Sequence, residues 1–215
     1  MRFNYWIFDM DGTLTDSMGI WDKLPFVLLE KLGRQPKPEL RFDLLPLGMT
    51  ETARYMISEY DLSMTEEEFN ALSFQTIREL YRTVSLKPGV EEMLARLKSQ
   101  GAKLCICSNT WQAMCEEVLT RLGVRDSFEF ILSAQNGLNK HDPHIFYESM
   151  RRLGASSPAQ CLVCEDAVYA ARTAHSAGFS VLGIADYYSR ADEAELRTLS
   201  EQFLPDWTAL DWSRV

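Results

Sequence analysis

The stretch "YWIFDMDGTLTDS", residues 5–17, runs apolar through Phe8 and then sets three aspartates, a glycine and three hydroxyls into the nine positions from Asp9 to Ser17. The apolar part reads as a strand buried on both faces, the kind found in parallel sheets. Carboxylates at its end then fall on the carboxyl edge, where open α/β sheets bind their ligands. Similar runs recur along the chain: Asn4 to Met10 holds the first, followed by Lys103 to Asn109, Phe128 to Ala134, Gln160 to Asp166 and Ser180 to Asp186. Helical patterns alternate with them, "GVEEMLARLKSQG" closing at Gly101, "WQAMCEEVLTRLG" at Gly123, "DPHIFYESMRRLG" at Gly154 and "AVYAARTAHSAG" at Gly178. In the third, Asp142 suits an N-cap and Pro143 the first helical position. The alternation predicts a parallel sheet covered by helices on both faces.

About ninety residues separate the first strand from the second, and their pattern is helical only. "SMGIWDKLPFVLLEKLG", "TETARYMISEY" and "TEEEFNALSFQTIRELYRT" all have amphipathic spacing, the last opened by a Thr65/Glu68 capping box. "SLKPGV" then returns the chain to the sheet. The expected fold is therefore α/β, a Rossmann-like three-layer α/β/α core with a parallel sheet plus an inserted α-helical cap domain. Residues 1–16 and 86–215 form the core in this reading and 17–85 the cap, which leaves the sheet just after the acidic cluster and is expected to cover it.

Composition narrows the function. The 215 residues are 46% hydrophobic and 25% charged, ordinary globular proportions, and no low-complexity tract interrupts them. A formal charge of −9 with no basic block argues against a nucleic-acid partner. No apolar stretch approaches the roughly 18 residues of a membrane span, and no leader pattern opens the chain, so a cytoplasmic protein is expected, with a monomer as the default state. Net acidity also repels anions, so a phosphorylated ligand would need local positive charge in a cleft. The five cysteines sit mostly in apolar runs, as free thiols do in a reducing compartment. Cys161 and Cys164 have CxxC spacing, but on a strand residues three apart face opposite ways and cannot share a metal.

If the sheet is parallel, all its strands end on one rim. The first ends in Asp9 and Asp11, the second in Ser108 and Asn109, the fourth in Glu165 and Asp166 and the fifth in Asp186, with Lys140 in the loop after the third. Singly these are turn and cap residues. Together they crowd carboxylates that would raise one another's pKa unless a divalent cation lay among them, and an all-oxygen ligand set points to Mg²⁺. Magnesium beside a positioned lysine makes a phosphoryl pocket, and an ionised aspartate inside it is a nucleophile.

With these residues in view, the chain resembles the haloacid dehalogenase superfamily, in the branch whose helical cap follows the first strand, the phosphoglycolate phosphatase and β-phosphoglucomutase-like group. "FDMDGTLTDS", "CICSNT", "NKHDPHIF" and "CLVCEDAVYAARTAHSAG" carry the likeness, with His141 where proline is common and Ala167 and Ala170 in place of serine and glycine. The resemblance implies that Asp9 attacks phosphorus to form an aspartyl-phosphate and that Asp11 serves as acid and then base. It implies that Ser108, Asn109 and Lys140 hold the phosphate. Magnesium would take Asp9, the backbone carbonyl of Asp11 and Asp166, with Glu165 supporting through water, and Thr15 and Asp16 would lie in the hinge.

The function expected is a Mg²⁺-dependent phosphatase of a small phosphorylated metabolite. The alternative on the same core is a sugar phosphomutase, lowered because Trp21 and Glu51 stand near the places where that resemblance implies a histidine and an arginine. A phosphonate hydrolase would need a cap lysine, and none occurs from Arg41 to Arg82. A receiver-like signalling domain, the alternative of another class, places its acceptor aspartate later in the chain and lacks the insertion. His141 and His144 suit solvent-facing or capping positions better than a metal pair, and His175 reads as structural. In "LPLGMTETAR", Gly48 marks the expected substrate-recognition loop and Arg54 is a candidate substrate contact, against the plainer reading of a solvated helix arginine.

Overall fold

The computed structural model describes residues 2–44, 47, 49–134 and 138–215. Its strands are β1 (Tyr5–Phe8), β2 (Lys103–Ser108), β3 (Phe130–Ser133), β4 (Cys161–Glu165), β5 (Ser180–Ile184) and β6 (Gln202–Leu204). They form one sheet in the order β3-β2-β1-β4-β5-β6 with every neighbouring pair parallel. β1 lies in the middle, Tyr5 opposite both Lys103 and Cys161, and Phe8 opposite both Ile106 and Cys164. The first five strands fall inside the apolar runs read from the sequence, each a little shorter. β6 had no counterpart in that reading, since three residues beginning with Gln202 are too short and too polar to show as an apolar run.

Between the strands lie α5 (Val90–Ser99), α6 (Gln112–Arg121), α7 (His144–Leu153), α8 (Val168–Ser176) and α9 (Glu193–Leu199), the first four helices of the chain belonging to the insertion described below. α5 to α8 stop one or two residues before Gly101, Gly123, Gly154 and Gly178, as the sequence predicted. The start of α7 differs by one residue. Pro143 is the N-cap, not the first helical residue, and Asp142 accepts the His144 N–H through Oδ1 at 2.9 Å from just outside the helix. The carboxylate still satisfies an otherwise free N–H of the first turn.

Alternation within the strands sends side chains to two cores. Ile7, Cys105, Cys107, Cys161, Val163 and Val181 pack on one face with Ile145 and Phe146 of α7, Ala170 and Ala174 of α8 and Leu196 of α9. On the other face Phe8 meets Phe128 at 6.0 Å and Trp207 at 5.6 Å between ring centroids. Cys161 and Cys164 thus lie on opposite faces, and all five cysteines are free and buried. Cutting Phe8 to alanine would cost about 3–5 kcal/mol.

The chain divides into two compact units, Met1–Met18 with Val84–Val215, and Gly19–Thr83. The second is helical: α1 (Met18–Lys31), which begins at the junction, α2 (Leu40–Leu44), α3 (Met49–Glu59) and α4 (Glu66–Leu80). Thr65 Oγ1 accepts the Glu68 N–H and the Glu68 carboxylate accepts the Thr65 N–H, the predicted capping box. Leu28, Leu29, Met56, Phe69 and Ile77 form its buried interior, and Lys31 on α1 pairs with Glu79 on α4 at 2.5 Å. Among the described residues no helix is long and apolar enough to cross a membrane. Gly48 lies outside the described residues.

Candidate active site

The chain leaves β1 at the point where the strand order reverses, with β2 and β3 on one side and β4 to β6 on the other. Ligands of doubly wound sheets bind at such a switch point. The Asp9 N–H donates to Cys164 O at 3.0 Å, so pairing with β4 continues one residue past the strand. The chain then folds back tightly, the Leu14 and Thr15 N–H groups and the Thr15 hydroxyl all donating to Met10 O at 2.9 Å. Gly12 allows this: its φ is +76°, and a Cβ there would lie 2.4 Å from Asp166 Oδ2, so the loop backbone approaches that carboxylate as only glycine can. Trp207 Nε1–H donates to Thr13 O at 2.9 Å, tying the loop to the C-terminal segment.

Lys140, 2% exposed, places Nζ 2.6 Å from Asp9 Oδ1 and 2.6 Å from Glu165 Oε1. Asp9, Glu165 and Asp166, all buried, each offer a carboxylate oxygen within 4.8 Å of the others. Burial alone would lower the Lys140 pKa, but Asp9 and Glu165 reverse this and hold it well above the usual lysine value. Burial, then the Asp9 charge, pushes Asp166 up to about 7; burial, only partly countered by Lys140, pushes Glu165 up to about 8. Three carboxyl groups face one ammonium in a dry place, and Glu165 Oε2 is buried with no hydrogen-bond partner. An unpartnered oxygen among hard oxygen donors fits a divalent cation such as Mg²⁺.

Asp11 is anchored from two elements. Ser17 Oγ donates to its Oδ1 at 2.5 Å and Thr110 Oγ1 to its Oδ2 at 2.7 Å. Ser108, buried, accepts the Thr110 N–H at 3.1 Å, while Asn109 is exposed and donates through Nδ2 to the Tyr169 hydroxyl at 2.6 Å. Asp166 accepts Thr13 Oγ1 at 3.3 Å and Ser189 Oγ at 2.8 Å. Asp186, read as part of the rim, is engaged elsewhere: Lys87 Nζ donates to its Oδ2 at 2.9 Å and to Ala185 O at 2.7 Å. Of the hinge pair, Thr15 is buried in the loop and the Asp16 N–H bonds Ser85 O at 3.0 Å. His141 and His144 are exposed. Arg54 lies in the helical unit, its exposed guanidinium paired with Glu66 at 2.8 Å.

The structure therefore brings Asp9, Lys140, Glu165 and Asp166 into one cluster, fixes Asp11 in the loop after β1 and sets Ser108 and Asn109 at the end of β2. Sequence reasoning missed Ser17, Lys87, Thr110, Tyr169 and Ser189. Ser17 and Thr110 lay inside the quoted motifs, where hydroxyls next to a carboxylate were the available signal. Tyr169 sits on a helix whose pattern reads as core, and nothing in the chain near Ser189 marks it.

A family model described as haloacid dehalogenase-like hydrolase matches residues 6–184. A Drosophila melanogaster protein described as a probable pseudouridine-5'-phosphatase is 28% identical over 193 residues, 86% of this chain and 83% of its own. Hexitol phosphatase B of Escherichia coli (strain K12) is 31% identical over 166 residues, 75% of this chain and 74% of its own. Among solved structures, CbbY from Rhodobacter sphaeroides in complex with phosphate has a TM-score of 0.81 at 20% identity, covering 99% of this chain and 98% of that one, a likeness of fold.

Proposed function

Because this chain belongs to the haloacid dehalogenase-like hydrolases and is a phosphoric monoester hydrolase among them, we propose that it is a Mg²⁺-dependent phosphatase of a small phosphorylated metabolite, working through an aspartyl-phosphate on Asp9. The observation that carries this reading is Lys140 held 2.6 Å from both Asp9 and Glu165 in a buried cluster of three carboxyl groups. Asp9, Asp166 and the Asp11 carbonyl would hold Mg²⁺, with Glu165 behind them through water. Bound there, the cation would neutralise charge on the carboxylates and the phosphoryl oxygens.

The side chains divide the remaining work. Lys140, its ammonium 2.6 Å from Asp9 Oδ1, holds that carboxylate in place and offers positive charge to the phosphoryl group it attacks. An Asp9 oxygen bonds to phosphorus as the bond to the ester oxygen breaks, and Asp11 gives that oxygen its proton. Asp11 then takes a proton from water, whose oxygen attacks phosphorus and frees Asp9 and inorganic phosphate. Ser17 and Thr110 support Asp11 in both roles by fixing the direction of its carboxyl group. Ser108, Asn109 and Lys140 bind phosphate oxygens. Uncatalysed monoester hydrolysis calls for acceleration towards ~10²¹, and one acid-base group supplies only ~10²–10⁴, so covalent catalysis and charge stabilisation must supply the rest.

The five free cysteines fit a reducing, cytoplasmic compartment and the −9 charge argues against a nucleic-acid partner; a monomer is the default state. The test is hydrolysis of an aryl phosphate by the purified protein with Mg²⁺, repeated with chelator and with Asp9→Asn, which should lose roughly 10³-fold or more. Turnover persisting in Asp9→Asn would remove the nucleophile. A panel of phosphorylated sugars, glycolate and nucleotides, scored for released phosphate against isomerised ester, then identifies the substrate and separates phosphatase from mutase.

A further inference from the structure

Tyr169 stands on one of the segments that build the site and touches two others. It is the second residue of α8, three positions after Asp166. Its hydroxyl accepts the Asn109 amide at 2.6 Å, and Asn109 directly follows Ser108 at the end of β2. Its ring stacks on the imidazole of His141, the neighbour of Lys140, with centroids 4.4 Å apart and planes 21° from parallel. The body of the ring packs against the core below the sheet edge, so the hydroxyl is carried on an anchored support. Among the described residues the Tyr169 hydroxyl is the hydrogen-bond partner of the Asn109 side chain, which is otherwise exposed.

We propose that Tyr169 is a positioning residue that holds the Asn109 amide in its phosphate-binding direction, with His141 as the plate that keeps the Tyr169 ring in place. This rests on Asn109 binding phosphate, as read above. An exposed amide without a partner loses rotamer freedom when it meets a ligand, whereas one already bonded through Nδ2 to a fixed hydroxyl has lost it beforehand. The hydroxyl stays protonated, since burial pushes it up to about 12, and remains neutral beside the buried carboxylates. His141 stands where the sequence departs from the family pattern, and the aromatic stack gives that departure a use.

The test combines Tyr169→Phe, which keeps the ring and deletes the hydroxyl, with Asn109→Ala and the double variant. An ordinary hydrogen bond predicts about a 3- to 10-fold rise in KM for an aryl phosphate and in Ki for inorganic phosphate in Tyr169→Phe, the loss falling on these and not on kcat. Added to Asn109→Ala, the second change should cost almost nothing, because the amide it directs is gone. His141→Ala should shift Ki in the same direction by a smaller factor. Additive losses in the double variant, or an unchanged phosphate Ki in Tyr169→Phe, would overturn the proposal while leaving the phosphatase reading standing. If the unmodified protein releases no phosphate from the aryl ester, the phosphatase reading itself fails.

Discussion

Lys140 and Lys87 are both buried at the carboxyl end of the sheet, 2% and 9% exposed, yet they sit in opposite electrostatic situations. Lys87 meets one carboxylate, Asp186 at 2.9 Å, and one carbonyl, Ala185 at 2.7 Å, and the other Asp186 oxygen accepts the Tyr188 N–H at 2.9 Å. Charge and hydrogen bonds balance there. Lys140 meets two carboxylates, has a third in the same cluster, and leaves Glu165 Oε2 without a partner. A balanced buried pair clamps the segment that returns from the insertion onto the end of β5. The unbalanced group suits a cation or a phosphorylated ligand, the part the proposed function gives to Lys140, whereas the balanced pair serves the fold.

The largest expected effect separates the two lysines. Lys140→Met removes the cation from between Asp9 and Glu165 and should lower kcat by roughly 10²–10³-fold or more. Lys87→Met leaves Asp186 buried and unpaired and should cost about 3 kcal/mol of stability by denaturant titration, with kcat in the folded fraction much less affected. Adding Asp186→Leu to Lys87→Met should recover most of that stability, since an apolar pair replaces the ionic one. Equal loss of kcat in the two lysine variants would dissolve the distinction.

Next in size is the response to metal and pH. Raised pKa values for Asp166 and Glu165 mean that the folded protein binds more protons than the unfolded chain between about pH 4 and the values of about 7 and about 8. Their contribution to stability is therefore whole below about pH 4 and lost as pH rises through that window. Thermal unfolding in chelator should show a lower Tm at pH 8 than at pH 5.5 from this source, and Mg²⁺ should raise Tm more at pH 8, where protons no longer compete for the carboxylates. A Mg²⁺ shift of equal size at both pH values would mean that these carboxylates are not where the ion binds.

A smaller effect is expected at Gly12. Gly12→Ala forces a side chain into a positive-φ position and against Asp166, at a cost of about 1–3 kcal/mol. Displacing that carboxylate should also weaken the Mg²⁺-dependent rise in Tm. Strain alone, with the Mg²⁺ response intact, would show that the close approach to Asp166 serves the fold and not the site.

What the sequence made legible follows from the range of the forces involved. Strand runs such as "YWIF" and "CLVCE" are apolar throughout because both faces are buried, and helices ending near Gly123 or Gly154 announce their own limits. Given a parallel sheet, residues at strand ends share an edge, so Asp9 and Asp166 could be placed near each other although they are far apart in the chain. β6 escaped because a three-residue edge strand has too little apolar length to register. Ser189 and Tyr169 escaped for another reason: their hydroxyls reach Asp166 and Asn109 through loop and helix-start geometry, which no periodicity encodes. Lys87 stood in "SLKPGV", and only the fold shows Asp186 waiting for it.

The smallest expected effect belongs to Arg54, which pairs with Glu66 at 2.8 Å with both side chains largely exposed, 64% and 46%. Such a pair gains little Coulomb energy in high dielectric and loses side-chain entropy, so Arg54→Ala should leave Tm unmoved in denaturation measurements. It stands as a third case beside the two lysines: a cation with a partner, but neither buried nor short of one. Since α3 and α4 hold the pair within the helical unit, any loss in the variant should fall on KM for the physiological ester and not on kcat, because an arginine that only grips substrate contributes equally to ground and transition states. A fall in kcat for a simple aryl phosphate would give Arg54 a part in the chemistry and break the ordering of the three cations by burial and charge balance.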